Sequence, residues 1–175
     1  MSFADLRSFL DCLDERGDLR KIDGVHWDLE IGTLTELMIE QSNHPALLFD
    51  NIPGYPQGHR VLSNSLSTIP RTAIALGLPV EANGLEVLHH WRTKMRTFQP
   101  VAPAPVQKGP VLENVTRGED VNMWDFPSPK WHESDGDRML GTGSAVILRD
   151  PDTGHLNVGT YRLAVHDENT PGFPR

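Results

Sequence analysis

A single cysteine, Cys12, stands in the whole 175-residue chain. That excludes an intrachain disulfide and any thiolate metal cluster, and it points to a reducing, cytoplasmic setting. Basic charge is also short. Sixteen Lys and Arg face 24 Asp and Glu, for a formal net charge of −8, and no basic cluster offsets the deficit. A general nucleic-acid binder needs a basic face to neutralise phosphates, so no nucleic-acid partner is expected. No apolar run approaches the ~20 residues of a membrane span. The opening MSFADLRSFLDCLDER carries charges inside its apolar pattern, so it does not read as a signal peptide. No internal repeat is visible, and one proline-rich strap is the only biased tract.

What is present suits a folded protein. Hydrophobic residues make up 38% and charged residues 23%, ordinary values for one or two globular domains with a real core. Ser2 is placed to cap a first helix, with Asp5 at the capping-box position. Phe3, Leu6, Leu10 and Leu13 then recur at helical spacing, and Gly17 supplies the stop. Leu19 to Ile22 reads as a short strand. From Leu29, the residues Ile31, Leu34, Leu37 and Met38 predict a second amphipathic helix. Pro45 to Phe49 is a short apolar run, read as a buried strand. Asn51 to Tyr55 is a turn by its Pro-Gly pair, and Arg60 to Leu62 is a neighbouring strand. Further helices are expected over Arg71 to Leu76 and Leu85 to Phe98. Alternating helices and short strands predict a mixed α/β unit.

The pattern changes at Gln99. QPVAPAPVQKGP holds four prolines, which suit neither a helix interior nor a central strand, so an extended linker is expected there. Beyond it Val111 to Val115, Ser144 to Arg149 and Val158 to Val165 read as strands. Asp150-Pro-Asp-Thr-Gly154 is strong turn chemistry and predicts a hairpin between the last two.

The segment from Trp124 to Glu168 carries the chemistry. Gly141 and Gly143 let a backbone approach a ligand closely, and Thr142 between them adds a hydroxyl, although a lone GTG is more often a turn. Asn157 and Arg162 lie five apart, which puts them on opposite faces of a regular strand. One ligand reaches both only if the strand bends, bulges or ends between them, and Gly159 is the place for that. Asn offers a neutral oxygen to a hard cation; Arg offers a fixed fork of donors and a permanent charge. Taken singly, Arg162 is more often an ion-pair residue and Asn157 a turn residue. His166-Asp167-Glu168 are adjacent and do not all face one ion, so they read as a solvated strand end. His132 reads as a structural hydrogen-bonding residue rather than a catalytic one. His89 and His90 fall on an exposed helix, and Cys12 packs inertly beside Leu13.

The run DPDTGHLNVGTYRLAVHDENT resembles the signature of the UbiD-type decarboxylases, as does the preceding FPSPKWHESDGDRMLGTG. GDLRKID, DLEIGTLTEL, HPALLFDNIPGYP and IALGLP resemble that family's N-terminal blocks, in order. The resemblance implies an α+β fold: an N-terminal mixed α/β domain over 1–98, a linker over 99–110 and a partial split β-barrel that binds flavin over 111–175. It implies reversible, non-oxidative decarboxylation of a small aromatic or α,β-unsaturated carboxylic acid with prenylated FMN, a divalent metal, usually Mn2+, and room for K+. It gives Arg162 a catalytic place beside the flavin and the substrate carboxylate. Asn157 becomes a metal ligand against the flavin phosphate. Thr142, Thr160, Tyr161 and Leu163 line the cofactor site. A separate flavin prenyltransferase supplies the cofactor, and the complete protein is a homo-oligomer. In the family a histidine and a glutamate that complete the metal site, and two catalytic acidic residues, come later in the chain. These 175 residues are therefore expected to be an N-terminal portion, inactive alone. Two other readings stay open: a truncated non-catalytic subunit or flavin-binding module, and a small split-barrel flavin oxidoreductase, for which the N-terminal blocks are unnecessary.

Overall fold

The computed structural model describes residues 3–102 and 104–172. Helix α1 (Leu6–Glu15) opens on Asp5, whose carboxylate accepts from the Ser8 amide at 2.8 Å while the Ser8 hydroxyl accepts from the Asp5 amide at 3.2 Å. Asp5 itself is thus the cap, and its carboxyl is held below the usual range chiefly by the Ser8 amide. The expected cap, Ser2, lies outside the described residues. Gly17, at φ +72°, ends the turn after α1.

A first sheet follows from strands β1 (Leu19–Asp23), β2 (Ala46–Asp50) and β3 (Val61–Ser63), in the order β1-β2-β3. β1 pairs with β2 in parallel, and β2 with β3 antiparallel. Central β2 is buried on both faces, which is why ALLF reads as a continuous apolar run. Helix α1 packs Phe9 and Leu13 with Ala46 and Ile74 on one side. Helix α2 (Glu30–Ile39) sends Ile31 into a cluster with Val25, Leu47, Phe49 and Ile52. Leu47 and Phe49 are fully excluded from water, worth about 1.5–3 kcal/mol each.

Helix α3 (Ile69–Leu76) is capped by Thr68, carries Pro70 in its first turn and stops at left-handed Gly77. Its Arg71 is 1% exposed. The guanidinium donates to the His44 carbonyl at 2.6 Å, the Asn64 carbonyl at 3.1 Å and the Ser67 hydroxyl at 3.0 Å, with Asp18 at 3.5 Å. Burial pushes its pKa down and Asp18 opposes that shift. Arg71 ties α3 to one end of the first sheet, where β1 and β2 begin and β3 finishes. Helix α4 (Gly84–Thr97) begins at Asn83, which forms a capping box with Glu86.

Gln99 to Gly109 forms no helix or strand among the described residues. Val111 to Val115 is not the expected strand. Pro110–Leu112 makes a 3-10 turn, and Val111 is 86% exposed. Pro110 lacks an amide for a ladder and fixes φ near the helical value, so local backbone chemistry overrides the β-branched side chains.

The second sheet joins β4 (Arg138–Arg149), β5 (Leu156–Val165) and β6 (Pro171–Gly172), all antiparallel. The Asp150–Gly154 turn forms as expected. The Asp150 carboxylate accepts from the amides of Asp152 at 2.9 Å and Thr153 at 2.7 Å, and Gly154 sits at φ +71°. The architecture is mixed α/β with two small sheets.

Candidate active site

A strap, residues 127–131, joins the two sheets. Lys130 donates its amide to the Trp27 carbonyl at 3.0 Å, and Leu29 donates to the Lys130 carbonyl at 3.1 Å. Leu29 adopts φ +66°, a costly value for a leucine, at the start of α2 where this docking occurs. Gly32 then faces the Trp131 carbonyl so closely that a Cβ there would collide with it.

Arg138, the first residue of β4, locks the arrangement. Its guanidinium stacks 3.7 Å from the Trp27 ring centroid and 4.9 Å from that of Trp124. Its Nε donates to the Ser128 carbonyl at 2.7 Å, and an Nη donates to the Tyr55 hydroxyl. The strand that carries Thr142 is thereby fixed to the first sheet. This aromatic cage has no signal in the sequence, because Trp27, Tyr55, Trp124 and Arg138 share no spacing.

Gly141-Thr142-Gly143 lies inside β4 rather than before the strand. Both register irregularities of the hairpin fall here, between Met139 and Gly141 and between Gly141 and Ser144. β5 keeps its register through Gly159, so the expected irregularity sits on the opposite strand. Tyr161 explains the glycine differently: its ring folds over Gly159, where a Cβ would collide with it. Arg162 falls between the pairs Tyr161↔Ser144 and Leu163↔Gly141, opposite the bulged Thr142-Gly143. A bulge re-aims side chains, and Thr142 and Arg162 line one cleft of about 310 Å3.

The other expected residues are placed as follows. Asn157 pairs with Leu148 near the far end of β5, is exposed and does not line this cleft. Thr160 pairs with Ala145 and is exposed; Tyr161 is 39% exposed; Leu163 is half-buried. The structure brings together Thr142 and Arg162 but not Asn157.

The far wall of the cleft comes from the first sheet and α2. Thr35 and Ser63 bond through their hydroxyls at 2.9 Å, and the Asn64 side-chain Nδ2 donates to the Thr35 carbonyl at 3.3 Å. Trp131 and Met139 supply apolar surface. His132, also on the cleft, sets its Nε2 2.5 Å from a Glu36 carboxylate oxygen and its Nδ1 3.4 Å from Asp135. The Glu36 bond raises the His132 pKa, with Asp135 adding to it. His132 is thus a structural hydrogen-bonding residue that also faces the cleft. Arg162 has no ion pair or hydrogen bond among the described residues, so its fork of donors is available to an anion.

His166 departs from the expected solvated strand end. Its side chain is 10% exposed and its Nδ1 lies 3.3 Å from Asp137. Asp167 and Glu168 are exposed. His89 and His90 are exposed on α4, and Cys12 is half-buried beside the α1 core. No group of three His, Cys, Asp or Glu able to hold a metal occurs among the described residues. No helix among them is long and apolar enough to cross a membrane.

Comparison with known proteins accounts for both halves. The model of the 3-octaprenyl-4-hydroxybenzoate carboxy-lyase N-terminal domain matches residues 10–91, and that of the Rift-related domain of the same enzymes matches residues 104–173. The chain is 35% identical over 181 residues to a pyrrole-2-carboxylic acid decarboxylase of Pseudomonas aeruginosa, covering 99% of this chain and 36% of the relative. It is 35% identical over 180 residues to a phenolic acid decarboxylase of a Streptomyces species, covering 99% and 37%. Among solved structures, the closed form of Sedimentibacter hydroxybenzoicus vanillic acid decarboxylase superposes with a TM-score of 0.88 at 28% identity, covering 98% of this chain and 37% of that one. HmfF of Pelotomaculum thermopropionicum, a UbiD-class enzyme solved in complex with prFMN, gives 0.77 at 27% identity, covering 95% and 37%. The chain therefore spans little more than a third of the length of these relatives. Matched by both domain models across most of its length, it belongs to the UbiD family.

Proposed function

We propose that this chain forms the N-terminal portion of a carboxy-lyase that reversibly removes CO2 from an aromatic or α,β-unsaturated carboxylic acid with prenylated FMN. One observation carries the reading: the bulges of β4 put Thr142 and Arg162, whose side chain has no partner among the described residues, into the same cleft. The relatives support it, since several bear the names of aromatic-acid decarboxylases and one UbiD-class structure holds prFMN.

The residues fit the cofactor in part. The hairpin leaves Thr160, Tyr161 and the Thr142 hydroxyl accessible, with Leu163 behind them, and Gly159 lets the Tyr161 ring lie flat on the strand. Such a surface suits a planar ring system with hydrogen-bonding edges. Asn157 offers one neutral oxygen to a divalent ion such as Mn2+, with K+ as a second ion in the same reading. The described residues hold no cluster that would complete a metal site, so Asn157 acts with ligands from further protein.

Decarboxylation breaks a C–C bond and leaves its electron pair on carbon; the bound flavin supplies the sink for that pair. The work of this chain is positioning. Arg162 holds the carboxylate through its planar fork. Arg162 is exposed, so exclusion of water from that ion pair falls to further protein that covers the cleft.

In this reading residues 1–98 form the mixed α/β domain, 99–110 the linker and 111–175 part of a split β-barrel. Ile147 and Val158, each 66% exposed on the hairpin, support the last, because apolar strand residues of this kind need a covering layer. The complete enzyme would be a cytoplasmic homo-oligomer loaded by a separate flavin prenyltransferase. The test is to load the protein that carries this chain with prenylated FMN and Mn2+ and follow CO2 release from a panel of aromatic and acrylic acids. Release above the free-cofactor background is expected. Retained cofactor with no release from any acid would overturn the reading.

A further inference from the structure

Two consecutive residues dock on one face of α2, a turn apart. Gly32 meets the Trp131 carbonyl, and Glu36, four residues on, meets the His132 imidazole. A Glu36 oxygen lies 2.5 Å from Nε2, and the Asp135 carboxylate lies 3.4 Å from Nδ1. Asp135 also accepts from the His132 amide at 3.0 Å and donates its own amide to the His132 carbonyl at 3.1 Å, which closes the 132–135 turn. Both ring nitrogens therefore face a carboxylate, one from α2 and one from the turn. A carboxylate only accepts, and a neutral imidazole offers one N–H and one lone pair. The imidazolium serves both partners; the neutral ring turns a lone pair on one of them. Arg162 on β5 is the other charged group lining the cleft, and β3 contributes Ser63, Asn64 and Ser65, which do not titrate. Trp131, beside these anchors, lines the cleft too. Its indole Nε1 is shut off from water and has no acceptor among the described residues.

We propose that His132, as an imidazolium bridging Glu36 and Asp135, is a positioning residue that holds the Trp131 wall of the Arg162 cleft in place, and that loss of its proton loosens this wall. Glu36 and then Asp135 raise the His132 pKa, so the wall is held below about pH 6.5 and loosens as pH rises through the raised value. The three side chains are partly or largely exposed, so the change is severalfold rather than all-or-none. As regulation of the active site the inference rests on the decarboxylase reading of the cleft; the movement of the wall does not.

Solvent exchange of the Trp131 indole N–H is followed by NMR in the 175-residue chain from about pH 5.5 to 8.5, across the range where histidine titrates. The variants are His132→Gln, which carries no charge, and His132→Lys, which keeps one at every pH. Dividing each variant's rate by the parent's at the same pH cancels base catalysis of exchange. For His132→Gln the ratio should be about threefold at the acid end and fall to about one at the alkaline end, the size an exposed ion pair supports. For His132→Lys it should run from about one to about one third. Thermal melts of each variant check folding. A His132→Gln ratio that stays flat with pH, or a lysine variant that exchanges as fast as the glutamine variant at the acid end, would overturn the proposal and leave His132 a merely structural residue. In the protein that carries this chain, kcat/KM of His132→Gln relative to the parent should be lowest below about pH 6.5 and rise towards one above it. If the exchange ratio moves with pH while this one stays flat, the wall behaves as proposed and the reading of the cleft as the active site fails instead, which separates the two failures.

Discussion

Replacing Arg138 by alanine removes the clamp that seats β4 on the first sheet. Its guanidinium stacks 3.7 Å from the Trp27 ring, a contact worth about 1 kcal/mol. Truncation also takes the donor from the carbonyl of Ser128, a residue 1% exposed, at about 1–2 kcal/mol, and one from the Tyr55 hydroxyl at about 0.5–1 kcal/mol. Together these predict a loss of roughly 3 kcal/mol, or about 6–12 °C in melting temperature for a chain of this length. Arg138→Lys keeps the charge over Trp27 but loses the fork, so about half the loss is expected. Urea unfolding followed by tryptophan fluorescence measures both, with Trp27 and Trp124 reporting from the cage itself. Because Arg138 is four residues before Thr142, acid binding in the cleft should weaken in parallel. An alanine variant that melts within about a degree of the parent, or a lysine variant as unstable as alanine, would refute the clamp.

Two further outcomes follow from the packing. Gly32→Ala should destabilise by about 1–2 kcal/mol in the same unfolding assay, because a Cβ meets the Trp131 carbonyl. Helix propensity alone predicts the opposite sign, a gain of about 0.5–1 kcal/mol, so a more stable variant would sink the contact. His132 should titrate above its usual pKa of 6.5 by NMR, and Glu36→Gln should return it towards that value. Since the folded form favours the imidazolium, the stabilisation is full below about pH 6.5 and fades as pH rises through the raised pKa. The melting difference between parent and Glu36→Gln should shrink over that range, and a constant difference would contradict the ion pair.

Much of this fold is written locally. The α1 and α2 periodicities, the apolar run of β2 and the DPDTG turn each announce themselves within a few residues, and these elements form, although α1 is capped by Asp5 rather than Ser2. Val111 to Val115 misleads because propensity is a weak prior beside Pro110. The bulge is misplaced for a related reason. Gly159 and Gly141 are equally permissive in the sequence, and only cross-strand pairing decides which strand gives way. The site is legible to the extent that its signature is contiguous, as in NVGTYR. Its other wall is assembled from Thr35, Ser63 and His132, up to 97 positions apart from one another, and long-range contacts of that kind leave no local pattern. Arg71 is hidden for the same reason: as one charged residue in an amphipathic helix it reads as solvated, and only tertiary packing buries it.

The central claim is that Arg162 acts on the reacting carboxylate while Asn157, away from the cleft, serves cofactor retention. The direct measurement is turnover and bound flavin, read together by CO2 release and absorbance, in Arg162→Lys and Asn157→Ala of the protein that carries this chain. Lysine keeps the charge and loses the bidentate fork, so turnover should fall roughly tenfold or more, about 1.4 kcal/mol of transition-state stabilisation, with flavin largely retained. Asn157→Ala should lose flavin first. Full turnover in Arg162→Lys, or flavin loss in it as severe as in Asn157→Ala, would contradict the assignment.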